Sequence, residues 1–136
     1  MRNKLNNKSG FTLVEIMIVV AIIALLAAIA VPNFLRARKR SQATAILEEM
    51  RLIDGAKDQY AIENNLSGSA PVEWPKVKLY LKVGTRLYNQ ATELDALGNP
   101  ITLGTIDTPP TISILTRDNF TDVIDNAATF WGSFAN

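Results

Sequence analysis

The chain has 136 residues, a formal net charge of +1, no cysteine and no histidine. This length fits a single domain. The missing residue types exclude a disulfide, a histidine-based catalytic triad, a histidine-ligated metal site and a histidine pH switch. The first ten residues carry three basic side chains and no acidic one, whereas the other 126 carry 11 basic and 13 acidic ones. Without a basic surface interleaved with aromatic residues, nothing indicates nucleic-acid binding.

Residues 1–10 form a short basic leader, with Arg2, Lys4 and Lys8 ahead of a terminal Gly10. A general secretory signal would place small residues and a cleavage site after its apolar region. Here the small residue comes before the apolar region. The basic residues should hold the leader in the cytoplasm by the positive-inside rule.

Residues 11–31 form an apolar run of 21 residues in which Glu15 is the only charged side chain. A bilayer core of about 30 Å requires roughly 20 such residues, so the run is long enough to cross a membrane. An ionised carboxylate inside a membrane helix costs about 2.5–3.5 kcal/mol. Glu15 is therefore expected to have a partner, unless it only reaches back to the headgroups from the end of an ordinary membrane helix.

The leader, the start of the apolar run and its end together resemble the type IV prepilin family, the precursors of pilins and pseudopilins. The resemblance extends from residue 8 to about residue 40. The matching residues are Lys8-Ser9-Gly10, Phe11-Thr12-Leu13-Val14-Glu15, the apolar run itself and Pro32.

The resemblance implies processing and assembly. A membrane prepilin peptidase would cleave between Gly10 and Phe11 on the cytoplasmic side and then methylate the new Phe11 amine. Glu15 would pair with the Phe11 amine of a neighbouring subunit. A pair of this kind removes the cost of a lone charge in an apolar environment and sets the register between subunits.

The same resemblance implies a filament subunit and not an enzyme. Its partners would be the peptidase/methyltransferase, identical or related pilin subunits, an inner-membrane assembly platform and, before assembly, membrane lipid. The chain would cross the inner membrane once with a periplasmic head, then enter an extracellular type IV pilus or a periplasmic type II secretion pseudopilus. The residues that carry the resemblance do not distinguish a pilus subunit from a pseudopilus subunit. The alternative is a single-pass inner-membrane protein whose periplasmic head binds a ligand or partner.

A second basic cluster follows the apolar run, so charge bias alone does not set the orientation of the helix; the leader does. Two interpretations of this cluster are open. It is a solvated helix face at headgroup level, or it pairs with acids such as Glu48 and Glu49 of adjacent filament subunits. The cluster consists of Arg36, Arg38, Lys39 and Arg40.

Residues 32–63 predict an amphipathic continuation of the same helix, because apolar residues recur at steps of three and four. Pro32 removes one helical hydrogen bond and predicts a kink. Gly55 weakens the helix by about 1 kcal/mol relative to alanine without ending it. The apolar stripe comprises Ala43, Ile46, Leu47, Met50, Ile53, Tyr60 and Ala61.

Residues 64–136 predict a small head, which makes the fold class α+β and pilin-like. We expect a short helix over residues 71–81 with Trp74 as a core anchor, and a helix over residues 118–131. A small antiparallel sheet is expected from strands at 101–103 and 111–116, joined through residues 104–110.

The turn at residues 95–100 resembles the aspartate-x-x-glycine-asparagine-proline turn of type II secretion pseudopilins, with Leu97 where those proteins have tryptophan or a similar residue. Some of those proteins bind calcium in the head. Asp118, Asp122 and Asp125 can supply oxygen ligands, but their spacing is also that of one exposed helix face. No cofactor is otherwise expected.

Overall fold

The computed structural model describes residues 10–136, so Arg2, Lys4 and Lys8 of the predicted leader lie outside the described residues. Its main element is helix α1, Leu13–Asn64, which covers both predicted helical segments without interruption. The chain divides into two compact units, one ending at Leu35 and one comprising Arg36–Asn136.

The described part of the first unit consists largely of the start of α1, whose side chains are exposed. Every large apolar side chain from Phe11 to Leu35 is at least 50 % exposed. Within residues 10–136, this is the single helical stretch that is long and apolar enough to cross a membrane. The prediction of a long apolar N-terminal helix is confirmed.

In the second unit, α1 packs one face into the head. The predicted stripe is confirmed, because its members are buried in the core and only Tyr60 is partly exposed. The buried members are Ala43, Ile46, Leu47, Met50, Ile53 and Ala61.

The rest of the head consists of short helices around this stripe. The expected helix near Trp74 is confirmed as α2, Trp74–Val77, which continues into a 3₁₀ turn, Lys78–Tyr80. Trp74 is buried, as predicted for a core anchor. The other helical elements are α3 (Arg86–Asn89), α4 (Ile114–Asp118), α5 (Ala127–Trp131) and a 3₁₀ turn at Gly132–Phe134.

The predicted antiparallel sheet is wrong, because residues 10–136 contain isolated bridges and no strand. Thr102 and Thr111 do pair as expected, with reciprocal N–H···O=C distances of 2.9 and 2.8 Å. The pairing cannot extend past the loop, since Gly104 has a φ of +68° and neither Pro109 nor Pro110 has an N–H to donate.

The predicted strand at 111–116 is wrong because Ser113 starts a helix. Its side chain accepts a hydrogen bond from the Leu115 N–H at 3.0 Å and so caps α4. A strand would place Ile112 and Ile114 on one face, but the chain buries Ile112 and Thr116, two residues four positions apart.

The predicted helix at 118–131 is interrupted. Its apolar face is confirmed by the burial of Phe120, Ile124 and Trp131. However, α4 ends at Asp118 and residues 119–126 form no helix. The helical conformation resumes after Asn126, whose side chain caps α5 by accepting from the Thr129 N–H at 3.1 Å. An asparagine that bonds a backbone N–H three residues ahead favours a new helix start over continuation.

Candidate functional site

The predicted cleavage and assembly residues lie together at the start of α1. Gly10 and Phe11 precede the helix, and Phe11 is 86 % exposed. Glu15 lies in the first helical turn. No contact in the structure tests their proposed roles, so cleavage at Gly10–Phe11 and pairing through Glu15 stay predictions.

Thr12 and Glu15 form a reciprocal cap at this helix start. One carboxylate oxygen, Oε2 of Glu15, accepts from the Thr12 N–H at 2.7 Å and from the Thr12 hydroxyl at 2.8 Å. In return, the Glu15 N–H donates to the Thr12 Oγ1 at 3.2 Å. This arrangement is a capping box, which satisfies two backbone donors that a helix start leaves free.

The capping role of Thr12 was missed in the sequence, although Thr12-x-x-Glu15 is the spacing that signals a capping box. The cap fixes the carboxylate beside the first turn of the helix, where a negative charge is favourable. Among the described residues, the second carboxylate oxygen of Glu15 makes no hydrogen bond.

Pro32 lies inside α1, and the helix continues through it. Pro32 removes one backbone donor. The predicted kink at this position stays a prediction.

The second basic cluster faces acids of its own head. Lys39 donates to Asp122 at 2.8 Å, and this hydrogen bond holds the pKa of Asp122 below its usual value. The acids expected to meet the cluster across subunits are also engaged within the chain, Glu48 by Arg51 at 2.5 Å and Glu49 by Arg86. These contacts weaken the interpretation that this cluster pairs with Glu48 and Glu49 of a neighbour.

Two of the three aspartates considered for calcium have a basic partner within the chain. Asp122 is bonded to Lys39, and Asp118 lies 3.3 Å from the Arg117 guanidinium. No group of three or more potential metal-binding side chains occurs in the part of the chain that the structure describes. Calcium binding in the head stays an untested prediction.

The turn at residues 95–100 is present and is organised by Asp95. This side chain is buried, and its Oδ1 accepts from the backbone N–H groups of Leu97 at 2.8 Å and Asn99 at 2.9 Å. Its Oδ2 accepts from the Thr116 hydroxyl. The turn thereby connects to α4.

A buried lysine organises the neighbouring loop. The ammonium of Lys57, fully buried, donates to the Leu103 carbonyl at 2.7 Å and to the Thr108 carbonyl. Burial lowers the pKa of Lys57, while Asp54 and Asp58 oppose that shift. Lys57 thus joins α1 to the loop that replaces the predicted hairpin.

Comparison with known families gives one match at this N-terminal segment. Residues 5–31 match the family model described as the prokaryotic N-terminal methylation motif. This segment is the one on which the resemblance to the type IV prepilin family rests, and the match supports that resemblance. The matched range contains the predicted cleavage residues, the Thr12–Glu15 cap and the apolar run.

Curated relatives include components of both filament types. The chain is 44 % identical over 61 residues to the type IV wide pilus major component of Thermus thermophilus, covering 45 % of this chain and 47 % of that protein. It is 34 % identical over 88 residues to the type IV major fimbrial protein FimA of Dichelobacter nodosus, covering 65 % of this chain and 56 % of that protein.

Similarity to type II secretion system core protein G of Klebsiella pneumoniae is 31 % identity over 61 residues, covering 45 % of this chain and 44 % of that protein. The chain therefore spans about half the length of the curated relatives it matches. No solved structure matches it significantly.

Proposed function

We propose that this chain is a structural subunit of a helical filament of the type IV pilus or type II secretion pseudopilus kind. The observation that carries the proposal is a helix of the prepilin family, exposed all round from Phe11 to Leu35 and capped at its start by a carboxylate. The names of the relatives describe pilus, fimbrial and secretion-system components, which supports a structural role without enzymatic activity.

The exposed run requires a partner because so much apolar surface in water is unfavourable, at about 25 cal/mol for each Å². Lipid provides that partner before assembly, and other copies provide it in the filament. The head has its own core, so it does not need this surface in order to fold. An apolar helix that needs a partner and a head that folds by itself are consistent with an inner-membrane anchor that carries a periplasmic head. The apolar helix would later leave the membrane and enter the filament.

Glu15 would act at the step from membrane to filament. Its free oxygen faces no donor among the described residues, while the Thr12 bonds hold the other oxygen in place. The methylated Phe11 amine of a neighbour supplies the missing cation. Stranding one member of such a buried pair costs about 3–5 kcal/mol, so only the correct register between subunits would be stable.

The peptidase/methyltransferase and the assembly platform enter the proposal as the partners that the family requires. Gly10 suits the peptidase, because a residue without a Cβ passes easily through a narrow cleft in extended form. The relatives include both pilus and secretion proteins. We therefore propose a filament subunit without assigning it to a pilus or to a pseudopilus.

Intact-mass spectrometry of the protein purified from membranes tests the processing step. The expected mature mass corresponds to a chain that begins at an N-methylated Phe11. Gly10→Val should leave unprocessed precursor in the membrane, because its branched side chain is too bulky for a narrow cleft that accepts glycine. Gly10→Ala is the matched control and should be processed at least in part.

The substitutions at Gly10 should not disturb the fold, because a Cβ at this position meets no atom within 4 Å. A full-length wild-type chain that retains Met1 would support the single-pass anchor instead. Normal maturation of Gly10→Val would contradict the assigned cleavage site.

A further inference from the structure

A groove lies between the outer face of α1 and the segment from the 3₁₀ turn to α3. Its volume is about 340 Å³, at the lower end of the range for binding pockets. The apolar part of its lining consists of Leu52, Ala56, Tyr80, Leu81 and Leu87, with Gly55 at the helix surface.

Gly55 is out of place in the interior of a helix. Glycine weakens a helix relative to alanine, and a Cβ at Gly55 would meet no atom within 4 Å. Neither backbone conformation nor packing within the chain therefore requires glycine here. The missing side chain does leave the groove open on the α1 side.

Leu52 adds a second unexplained feature, because it is 59 % exposed at the edge of the groove, one turn before Gly55. The opposite face of this part of α1 is already buried in the head. The α1 edge of the groove thus presents apolar surface with no partner in the chain.

The charges around the groove indicate an apolar occupant. Arg86 bonds Glu49 through two atoms of its guanidinium, and Arg51 bonds Glu48. Because these ions neutralise one another, Lys82 is the remaining charged side chain of the lining, whose other members are uncharged. The same chain presents apolar side chains in excess along residues 11–35.

We propose that the Gly55 groove receives an exposed apolar side chain from the N-terminal helix of a second copy of this chain. The inference rests on the proposed filament function and specifies one contact within it. The two surfaces differ, so the contact is heterologous, and repeating it produces an open helical polymer and not a closed dimer. Glycine at position 55 is the opening through which the side chain enters.

Filling the groove tests the proposal in cells that produce the full-length chain. Gly55→Leu should lower the number of filaments per cell at least tenfold, counted by electron microscopy at matched levels of mature subunit. Thr92→Leu is the control, because it adds the same bulk at an exposed position that does not line the groove. It should leave filament numbers unchanged.

Gly55→Ala separates assembly from folding. The full-length variant in detergent should unfold at a higher temperature than the wild type, because alanine favours the helix. Filament numbers should nevertheless fall, to a smaller extent than with leucine. A variant that is more stable and assembles less well cannot be explained by misfolding.

Cross-linking identifies the occupant, since the chain has no cysteine of its own. Gln59→Cys at the rim, combined in turn with Ala24→Cys, Ala28→Cys or Phe34→Cys, should give disulfide-linked oligomers from at least one pair. Thr92→Cys with the same partners should give none.

Normal filaments from Gly55→Leu, or no cross-link from any rim pair in intact filaments, would overturn the groove contact and leave the proposed function standing. A wild-type chain that is matured but forms no filaments with its cognate assembly proteins would overturn both.

Discussion

The two halves of α1 have similar helical geometry but different surroundings. Up to Leu35 every large apolar side chain is exposed, whereas from Ala43 onward one face is buried against the head. The second half is amphipathic, and its apolar face is buried in the core of the head. The first half is apolar all round, a pattern found where a helix is surrounded by lipid or by other helices. One helix therefore combines a segment that folds into the head with a segment to which the proposed function assigns assembly.

Deleting the first half of α1 should have the largest effect, because it removes the surface proposed to drive assembly. Residues from 36 onward form a compact unit with their own core, so this fragment should be soluble and monomeric in sedimentation velocity. The Gly55 groove alone should not hold two heads together, since its proposed occupant has been removed. Persistent oligomers of the fragment would show that the head carries an interface of its own.

Substitution of Asp95 should be the most damaging single change in the head. Asp95→Ala removes three hydrogen bonds to Leu97, Asn99 and Thr116 and leaves their donors without this partner. We expect a loss of about 3–5 kcal/mol in the free energy of unfolding. Urea unfolding of the residue 36–136 fragment measures it. An effect as small as that of Thr92→Ala, an exposed control nearby, would contradict the assigned role of Asp95.

Lys57→Met should cause the next largest loss in the free energy of unfolding of the head. Methionine preserves much of the apolar stem but leaves the carbonyls of Leu103 and Thr108 without the ammonium. The expected cost is about 2–4 kcal/mol in the same assay, offset in part because a buried charge is removed. Lys76→Met, at an exposed lysine, is the control. Equal stability of the two variants would mean that Lys57 does not hold the loop.

The Lys39–Asp122 contact should have the smallest effect, because both side chains are well exposed and such pairs contribute little. Because the folded pKa of Asp122 is lowered, its contribution is present above the ordinary aspartate pKa and lost as pH falls through the folded value. Asp122→Asn should therefore be slightly less stable than wild type at neutral pH and indistinguishable in strong acid. A difference that grows in acid would contradict this contact.

Several parts of the fold were predicted correctly from short stretches of the sequence. The apolar run, the stripe from Ala43 to Ala61, the helix at Trp74 and the turn at Asp95 were all recognised. The predicted strand at 111–116 was wrong because a side-chain cap at Ser113 begins a helix, and the predicted helix at 118–131 was interrupted because Asn126 caps a new one. Residue periodicity alone does not reveal a cap.

The roles of Lys57 and Thr12 were not predicted from the sequence. Lys57 occupies a buried position because it reaches carbonyls 46 and 51 residues away, which no short-range pattern indicates. Thr12 is different, since its spacing to Glu15 was readable and was overlooked.

Glu15→Val tests most directly whether the first half of α1 is an assembly element. Cleavage at Gly10 should continue and membrane insertion should improve, since the penalty of about 2.5–3.5 kcal/mol for the carboxylate is gone. Assembly should fail, because the neighbour's Phe11 amine loses its partner in an apolar core. Glu15→Asp, which retains the charge on a shorter stem, should be tolerated in part. Electron microscopy of cells with matched levels of mature subunit should show filaments from wild type and almost none from Glu15→Val; normal filament numbers would contradict the pairing.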